Sequence, residues 1–274
     1  MNSLSIFVRQ NRTMSFIVLS IVFSWSFWLL YLFGMEGGNA AFGPFLAALV
    51  VLTMTEGWAG VKDLLGRMVR WRVAWPWYLV ALGLPILLNS VAGYLTVLFG
   101  APAPSAELIN DWPTIFRLYP LWLLLPIMGG AWEEPGWRGY VLPRFEAGRS
   151  RLVAAALLWL LLITWHLPLF FTGGANWVDI LNMVGGVILY NWLYHRSGES
   201  VLLVMLIHAM NNAVSDYFFP MFTGEAATQQ LWMKTLVWGA AAAVVVVANW
   251  RWWTEVEDEV IPESNAVLET VVGV

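Results

Sequence analysis

Leu152-Val-Ala-Ala-Ala-Leu-Leu-Trp-Leu-Leu-Leu-Ile-Thr-Trp-His-Leu-Pro-Leu-Phe-Phe171 runs for 20 residues without an Asp, Glu, Lys or Arg. A helix needs ~20 apolar residues to cross the hydrocarbon core of a bilayer. Seven more apolar segments flank it, at about 13–33, 42–55, 75–99, 114–132, 177–193, 200–220 and 232–250. The second is short and can extend past Glu56. Gly-, Pro- and charge-bearing connectors separate the segments. Helices are the expected form, because a helix satisfies its own backbone hydrogen bonds in lipid. The expectation is an all-α polytopic membrane protein with eight transmembrane helices, residues 1–251, followed by an acidic flexible tail, 252–274.

Composition agrees. The chain of 274 residues is 59% hydrophobic and 12% charged, with 19 Trp, 15 Phe and 8 Tyr. Soluble domains average roughly 45–50% and about 25%. Cysteine is absent, which excludes disulfides, thiolate metal sites and a cysteine nucleophile. The first apolar run lacks a small-residue cleavage site and reads as a true span. Net charge is −4, but Glu255, Glu257, Asp258, Glu259, Glu263 and Glu269 all lie in the tail, leaving the rest at +2. No basic stripe points to nucleic acid, so the expected partner is membrane lipid.

Orientation follows from the Lys/Arg bias. With the N-terminus in the cytosol and eight spans, the inside receives Arg9, Arg12, Lys62, Arg67, Arg70, Arg72, Arg138, Arg144, Arg149, Arg151, Arg196 and Arg251. The outside receives Arg117 and Lys234. Both termini are therefore expected in the cytosol. In 57–72, Val61, Leu64, Leu65 and Met68 recur at helical spacing between Lys62, Arg67 and Arg70. This suits a helix lying in the interface against anionic lipid. A plain connecting loop with positive-inside residues fits equally well. No internal repeat is apparent.

Against this apolar background, Ala131-Trp-Glu-Glu-Pro-Gly-Trp-Arg138 stands out. Ionisable groups in a bilayer are costly and usually functional. Neighbours on a helix point about 100° apart, so Glu133 and Glu134 face different surroundings. Glu134 and Arg138 share a face and can pair, leaving Glu133 without that local partner. In a partly dry cavity its pKa would rise toward neutrality, as suits a general base for water. The bland alternative is a solvated helix end carrying an ordinary surface pair. His166 lies within the fifth run, two residues before Pro168, which frees or bends local backbone. Taken singly, it reads better as a hydrogen bond to a neighbouring helix. His208 and Asn212, four apart in the seventh run, share a helix face. Two such donors suit an oxyanion hole; an interhelical polar clamp is the alternative. Asn211 points off that face, Asp216 lies nearby, and His195 in a connector receives no role.

Glu133-Glu134-x-x-x-Arg138, then His166 with Phe170, then His208-x-x-x-Asn212 resemble the ordered motifs of the CAAX-protease and bacteriocin-processing (CPBP, "Abi") family, which includes the Ras-converting CAAX endopeptidase. Residues 136–145 and 165–170 fit its bacterial branch, and 131–212 carries most of the specificity. The resemblance implies an eight-helix intramembrane glutamate endopeptidase of a bacterial or archaeal plasma membrane. Glu133 and His166 would activate water, His208 and Asn212 would hold the oxyanion, and Glu134 and Arg138 would orient the site. Hydrolysis would proceed by direct water attack, with no acyl-enzyme, no metal and no cofactor. The polar cavity would open to the cytosol, with side openings that admit a lipidated (for instance prenylated) or membrane-embedded peptide or protein substrate.

Three rivals remain. Two His and one Glu match a catalytic zinc set with an open position, though His-Glu-x-x-His is absent and Asn212 is left idle. A non-enzymatic scaffold or bacteriocin-immunity protein would keep the motif for structure. A solute transporter is disfavoured by the lack of a repeat between halves. One geometric demand stands apart. His166 lies fourteen residues from Leu152, about 21 Å at 1.5 Å per residue, whereas His208 lies eight from Ser200, about 12 Å. These groups must nevertheless meet at one depth.

Overall fold

A computed structural model describes residues 3–32, 41–127 and 129–256. Every regular element among them is helical, and one isolated antiparallel bridge joins Ser150 to Val256. In order, the helices are α1 (Ser3–Gln10), α2 (Arg12–Leu32), α3 (Gly43–Thr55), α4 (Trp58–Met68), α5 (Pro76–Leu98), α6 (Ala106–Asn110) and α7 (Thr114–Leu124). A broken stretch follows: a 3-10 turn Gly130–Glu133, α8 (Glu134–Gly136), a π turn Trp137–Val141 and α9 (Leu142–Glu146). The chain then continues through α10 (Arg151–Thr172), α11 (Asp179–Arg196), α12 (Val201–Phe218), α13 (Glu225–Ala248) and α14 (Trp250–Thr254).

Each expected span overlaps a helix. α5, α10, α13 and the segment Val201–Met221 are long and apolar enough to cross a membrane. α3 and α7, with 13 and 11 residues, are shorter than the ~20 that a full crossing takes. The fourth expected span therefore does not run to 132 as one helix. Pro126 disfavours helical backbone at the residue before it, and Leu125 is extended (φ −97°, ψ 105°). Gly129 and Gly130 then adopt positive φ, 100° and 64°, a region open mainly to glycine. They turn the chain into the 3-10 turn that carries Glu133.

α12 is the axis of the bundle, packing against α5 and α7, while α11 packs on α13 and α2 on α3. Ser200 caps α12 by accepting from Leu203 N (3.3 Å) and also donates to Arg70 O (2.8 Å). Ser150 caps α10 by accepting from Val153 N (3.4 Å). α10 continues through Pro168 and ends at Gly173, whose left-handed conformation (φ 79°) is a common helix stop. The Trp25 indole N–H donates to Trp165 O at 3.0 Å, tying α2 to the turn before that proline.

Six arginines make contacts around the ends of α3, α11 and α13 and the start of α10, whereas Arg117 pairs with Asp111 beside α7. Arg12 and Arg144 pair with Glu56 (3.4 and 3.0 Å), Arg67 donates to Tyr194 OH (2.9 Å), and Arg70 donates to Gly198 O. Arg151 donates to Trp252 O (3.1 Å) and Arg196 to Asn249 Oδ1 (2.7 Å). Within 57–72 the helix prevails over the loop: α4 buries Val61 and Leu64, and Arg67 also pairs with Asp63 at 3.0 Å. The start of the expected tail is packed. Trp253 is fully buried and Trp252 stacks edge-on with His195, which pairs with Glu146 at 2.7 Å. Residues 257–274, with most of the tail's acid, lie outside the described residues.

Candidate active site

Glu133, at the end of the 3-10 turn, is 5% exposed. The turn curls its own backbone over the carboxylate: Gly130 N–H donates to Oε1 and the Trp137 indole N–H to Oε2, each at 3.3 Å. Glu133 thus finds its partners in its own turn and in Trp137 rather than in Arg138, because a 3-10 turn brings the amide three residues back within reach. This turn lies outside the spanning helices. Its carboxyl titrates above the ordinary carboxylate range, chiefly because burial penalises the charged form; His208 opposes the shift and Glu134 adds to it.

Glu134 points elsewhere, as adjacent helical residues do. It is fully buried and receives both Arg138 contacts, at 3.0 and 2.8 Å, which is the pair expected from the four-residue spacing. Its Oε1 also meets His208 Nδ1 at 2.6 Å. Arg138, 2% exposed, donates from Nε to Asn191 Oδ1 at 3.0 Å and lies 5.4 Å from the Tyr190 ring centre. Four side chains from the broken stretch, α11 and α12 therefore form one chain: Asn191, Arg138, Glu134, His208. A carboxylate on the inner ring nitrogen fixes tautomer and orientation, leaving Nε2 for the cavity.

His166 is held differently. Its Nδ1 lies 2.8 Å from Leu162 O. A carbonyl only accepts, so Nδ1 carries the proton and Nε2 of the neutral ring keeps its lone pair. Trp165 meets the ring edge-on at 4.6 Å, and Trp137 packs edge-on to Trp165 at 5.7 Å. The same Trp137 that donates to Glu133 thus buttresses the His166 turn.

Glu133, His166, His208 and Asn212 line a single cavity of about 210 Å3, with Gly130 and Ser215 also in its wall. A second cavity of about 140 Å3 shares Glu133, His166 and His208, and adds Arg138, Tyr190 and Asn211. Asn211 thus faces away from Asn212, as its position on the helix requires. Gly130 fits tightly here. A Cβ there would overlap Asn212 Nδ2 and come within 3.1 Å of His208 Cδ2. Asp216, also in the wall, accepts from the Trp122 indole at 2.8 Å.

Sequence reasoning missed Gly130, Trp137, Tyr190 and Asn191. Gly129-Gly130 after Pro126 is a turn signal that reveals the first; the others sit at ordinary core positions and carry no signal. For a metal, both histidines already commit Nδ1, and among the described residues no group of three His, Cys, Asp or Glu is arranged to hold an ion. The zinc reading is not favoured.

An apolar helical bundle thus gathers an acid, two imidazoles and a carboxamide around one cavity. Comparison with known proteins narrows the class. Residues 115–214 match the family model described as "Rce1-like: Type II CAAX prenyl endopeptidase Rce1-like". CAAX prenyl protease 2 of Methanococcus maripaludis is 21% identical over 186 residues, covering 62% of this chain and 67% of that protein. Both matches support the motif resemblance: over its site-bearing region the chain is similar to CAAX-type membrane peptidases, and its apolar helices support an integral membrane protein.

Proposed function

We propose that the chain is a glutamate-type intramembrane endopeptidase. Glu133 takes a proton from water while His166 Nε2 accepts the water's other hydrogen bond. The oxygen attacks the scissile carbonyl carbon, and the carbonyl oxygen becomes an oxyanion. Asn212 donates to that oxyanion, as does His208 Nε2 when the ring is doubly protonated and balanced by Glu134. Collapse breaks the C–N bond, and the proton held by Glu133 passes to the leaving amine. No acyl-enzyme forms. Glu134, Arg138 and Asn191 hold the geometry. The convergence of Glu133, His166, His208 and Asn212 on one cavity carries this reading.

The chain would span a prokaryotic plasma membrane eight times with both termini in the cytosol. The six arginines around the ends of α3, α11 and α13 and the start of α10 support that orientation. α3 and α7, being short, would be accommodated by local thinning of the bilayer. Substrates would be peptides held at the membrane by a lipid, in line with the name of the methanococcal relative.

The test is cleavage of a farnesylated CAAX-type peptide by the purified protein in proteoliposomes, beside Glu133→Gln. Glutamine keeps an acceptor for Trp137 but removes the base. Turnover should fall about 10²- to 10⁴-fold while the protein still folds, since only one N–H···O contact, from Gly130 or Trp137, is lost. Equal turnover by the variant would remove Glu133 from catalysis. A silent wild type whose biological phenotype survives Glu133→Gln would favour the scaffold reading.

A further inference from the structure

The smaller of the two cavities at the site, about 140 Å3, lies among α10, α11, α12 and α13. Residues in its wall carry buried polar atoms that the bundle leaves unused. Among the described residues, Asn182 Oδ1 and Asn211 Oδ1 accept nothing and the Trp238 indole N–H donates to nothing. Trp238 is buried, and the Asn211 side chain engages the Tyr190 hydroxyl while its oxygen stays free. Residues lining one space thus bring two acceptors and one donor without partners. Such atoms are costly to bury, and a trapped water with roughly two to four polar partners removes that cost. At about 30 Å3 per water, the space holds about four.

Glu133, His166 and His208 stand in the walls of both cavities. Asn212 and Gly130 belong only to the larger one, and Asn182, Asn211 and Tyr190 only to the smaller. The base and its imidazole therefore form the partition between two spaces. A peptide whose scissile carbonyl sits at Asn212 fills the larger space and displaces water from it. Each cleavage nevertheless consumes one water, which must lie within reach of Glu133 and of His166 Nε2. The smaller cavity reaches both groups without passing Asn212.

We propose that the smaller cavity is a water chamber that feeds the reaction, with Asn182, Asn211 and Trp238 as its positioning residues. Their unused atoms hold waters beside Glu133 and His166 while the peptide occupies the Asn212 side. Glu133 takes a proton from the nearest of these waters, and the oxygen of that water bonds to the carbonyl carbon. A second water from the chamber then takes its place for the next turnover. Leu162, Met183 and Val187 complete the wall with apolar surface, which leaves the waters no competing partners there. The proposal rests on the endopeptidase reading.

X-ray hydroxyl-radical footprinting of the full chain in proteoliposomes reads trapped water without turnover, because a buried aromatic side chain labels quickly only where water lies beside it. Tyr190 and Trp238, both buried, should label faster than Trp165, which is fully buried and lines neither cavity. The double variant Asn182→Leu/Asn211→Leu should bring their labelling down to the Trp165 level. With a farnesylated CAAX-type peptide bound to Glu133→Gln protein, the labelling should persist. In cleavage assays Asn182→Leu, Asn211→Leu and Trp238→Phe should each lower kcat about 10-fold with KM unchanged. Asn182→Ser, which keeps an acceptor, should retain most of the rate. If the labelling behaves as described and no peptide is cut, the trapped water stands and the protease reading falls. Labelling no faster than that of Trp165, or labelling lost when the peptide binds, overturns the chamber. So do variants that cut as fast as wild type or whose change lies in KM alone.

Discussion

Glu134→Gln is the sharpest probe of the site's wiring, because one carboxylate serves two partners. Glu134 receives Arg138 at 3.0 and 2.8 Å and His208 Nδ1 at 2.6 Å, with no exposed surface. Glutamine has one acceptor and one donor group. If its oxygen faces Arg138, its N–H2 faces His208 and forces the ring's proton from Nδ1 to Nε2. If it turns over, two donors meet at Arg138. Either way the Arg138 charge, 2% exposed, loses its counter-charge, and only the Asn191 carbonyl remains on its Nε. Breaking one half of a buried ion pair typically costs about 3–5 kcal/mol. At roughly 2–4 °C per kcal/mol for a chain of this size, the melting temperature should fall about 6–20 °C. Turnover should fall at least about 10²-fold, because His208 loses both orientation and compensating charge.

The double variant Glu134→Gln/Arg138→Met separates the two consequences. Removing the stranded cation should restore much of the lost stability, a strongly non-additive result for residues in contact, while turnover stays low because His208 still lacks its carboxylate. Thermal unfolding in detergent and peptide cleavage measure both. The reasoning is refuted if Glu134→Gln alone keeps melting temperature within about 2 °C and activity within about threefold of wild type. It also fails if the second substitution restores activity instead of stability.

Two further outcomes follow from the geometry. Gly130→Ala should lower turnover about 10²-fold or more, since its Cβ overlaps Asn212 Nδ2 and crowds His208 Cδ2 at 3.1 Å. Gly148→Ala is the matched control, with a similar φ of 67° and no atom within 4 Å: it should cost only about 1–2 kcal/mol of backbone strain and leave turnover alone. Turnover should also depend on pH in one direction on the acid side. Glu133 must be ionised to act, and burial raises its pKa, so kcat/KM should fall as pH drops through a value above the ordinary carboxylate range. An acid limb centred near 4.3, the value of a free glutamate, would contradict the buried base.

Local periodicity made part of the site legible. Glu134–Arg138 and His208–Asn212 are four residues apart, and helix geometry alone puts each pair on one face, where the structure has them. Contacts between distant parts of the chain were not legible. Glu134 to His208 spans 74 residues and Arg138 to Asn191 spans 53, and no propensity encodes which faces meet. The eight apolar segments all became helices, yet the fourth stopped at Leu124. Hydropathy records only that Ile127 and Ala131 are apolar; Pro126, Gly129 and Gly130 are the residues that break the helix and create the turn under Glu133.

The depth mismatch between the two histidines resolves into a statement about the bundle. His166 and His208 line the same cavities although one is fourteen residues past Leu152 and the other eight past Ser200. α10 starts 15 residues before His166 and α12 seven before His208, so with both leaving from the same end α10 begins about eight residues, or roughly 12 Å before tilt, further out than α12. The contacts at each start agree. Arg151 opens α10 under Trp252 of α14, at the rim of the bundle, whereas Ser200 opens α12 beneath the chain that follows α4, donating to Arg70 O. The α4 helix, with Val61 and Leu64 buried and Leu64 against Gly139, packs on the start of α12. A side chain at Gly139 would push on Leu64 Cδ1, 2.5 Å from the added Cβ. Leu64 Cδ1 is the tip of a flexible side chain, so it can turn aside there while α4 keeps its place on α12 and His208 keeps its level.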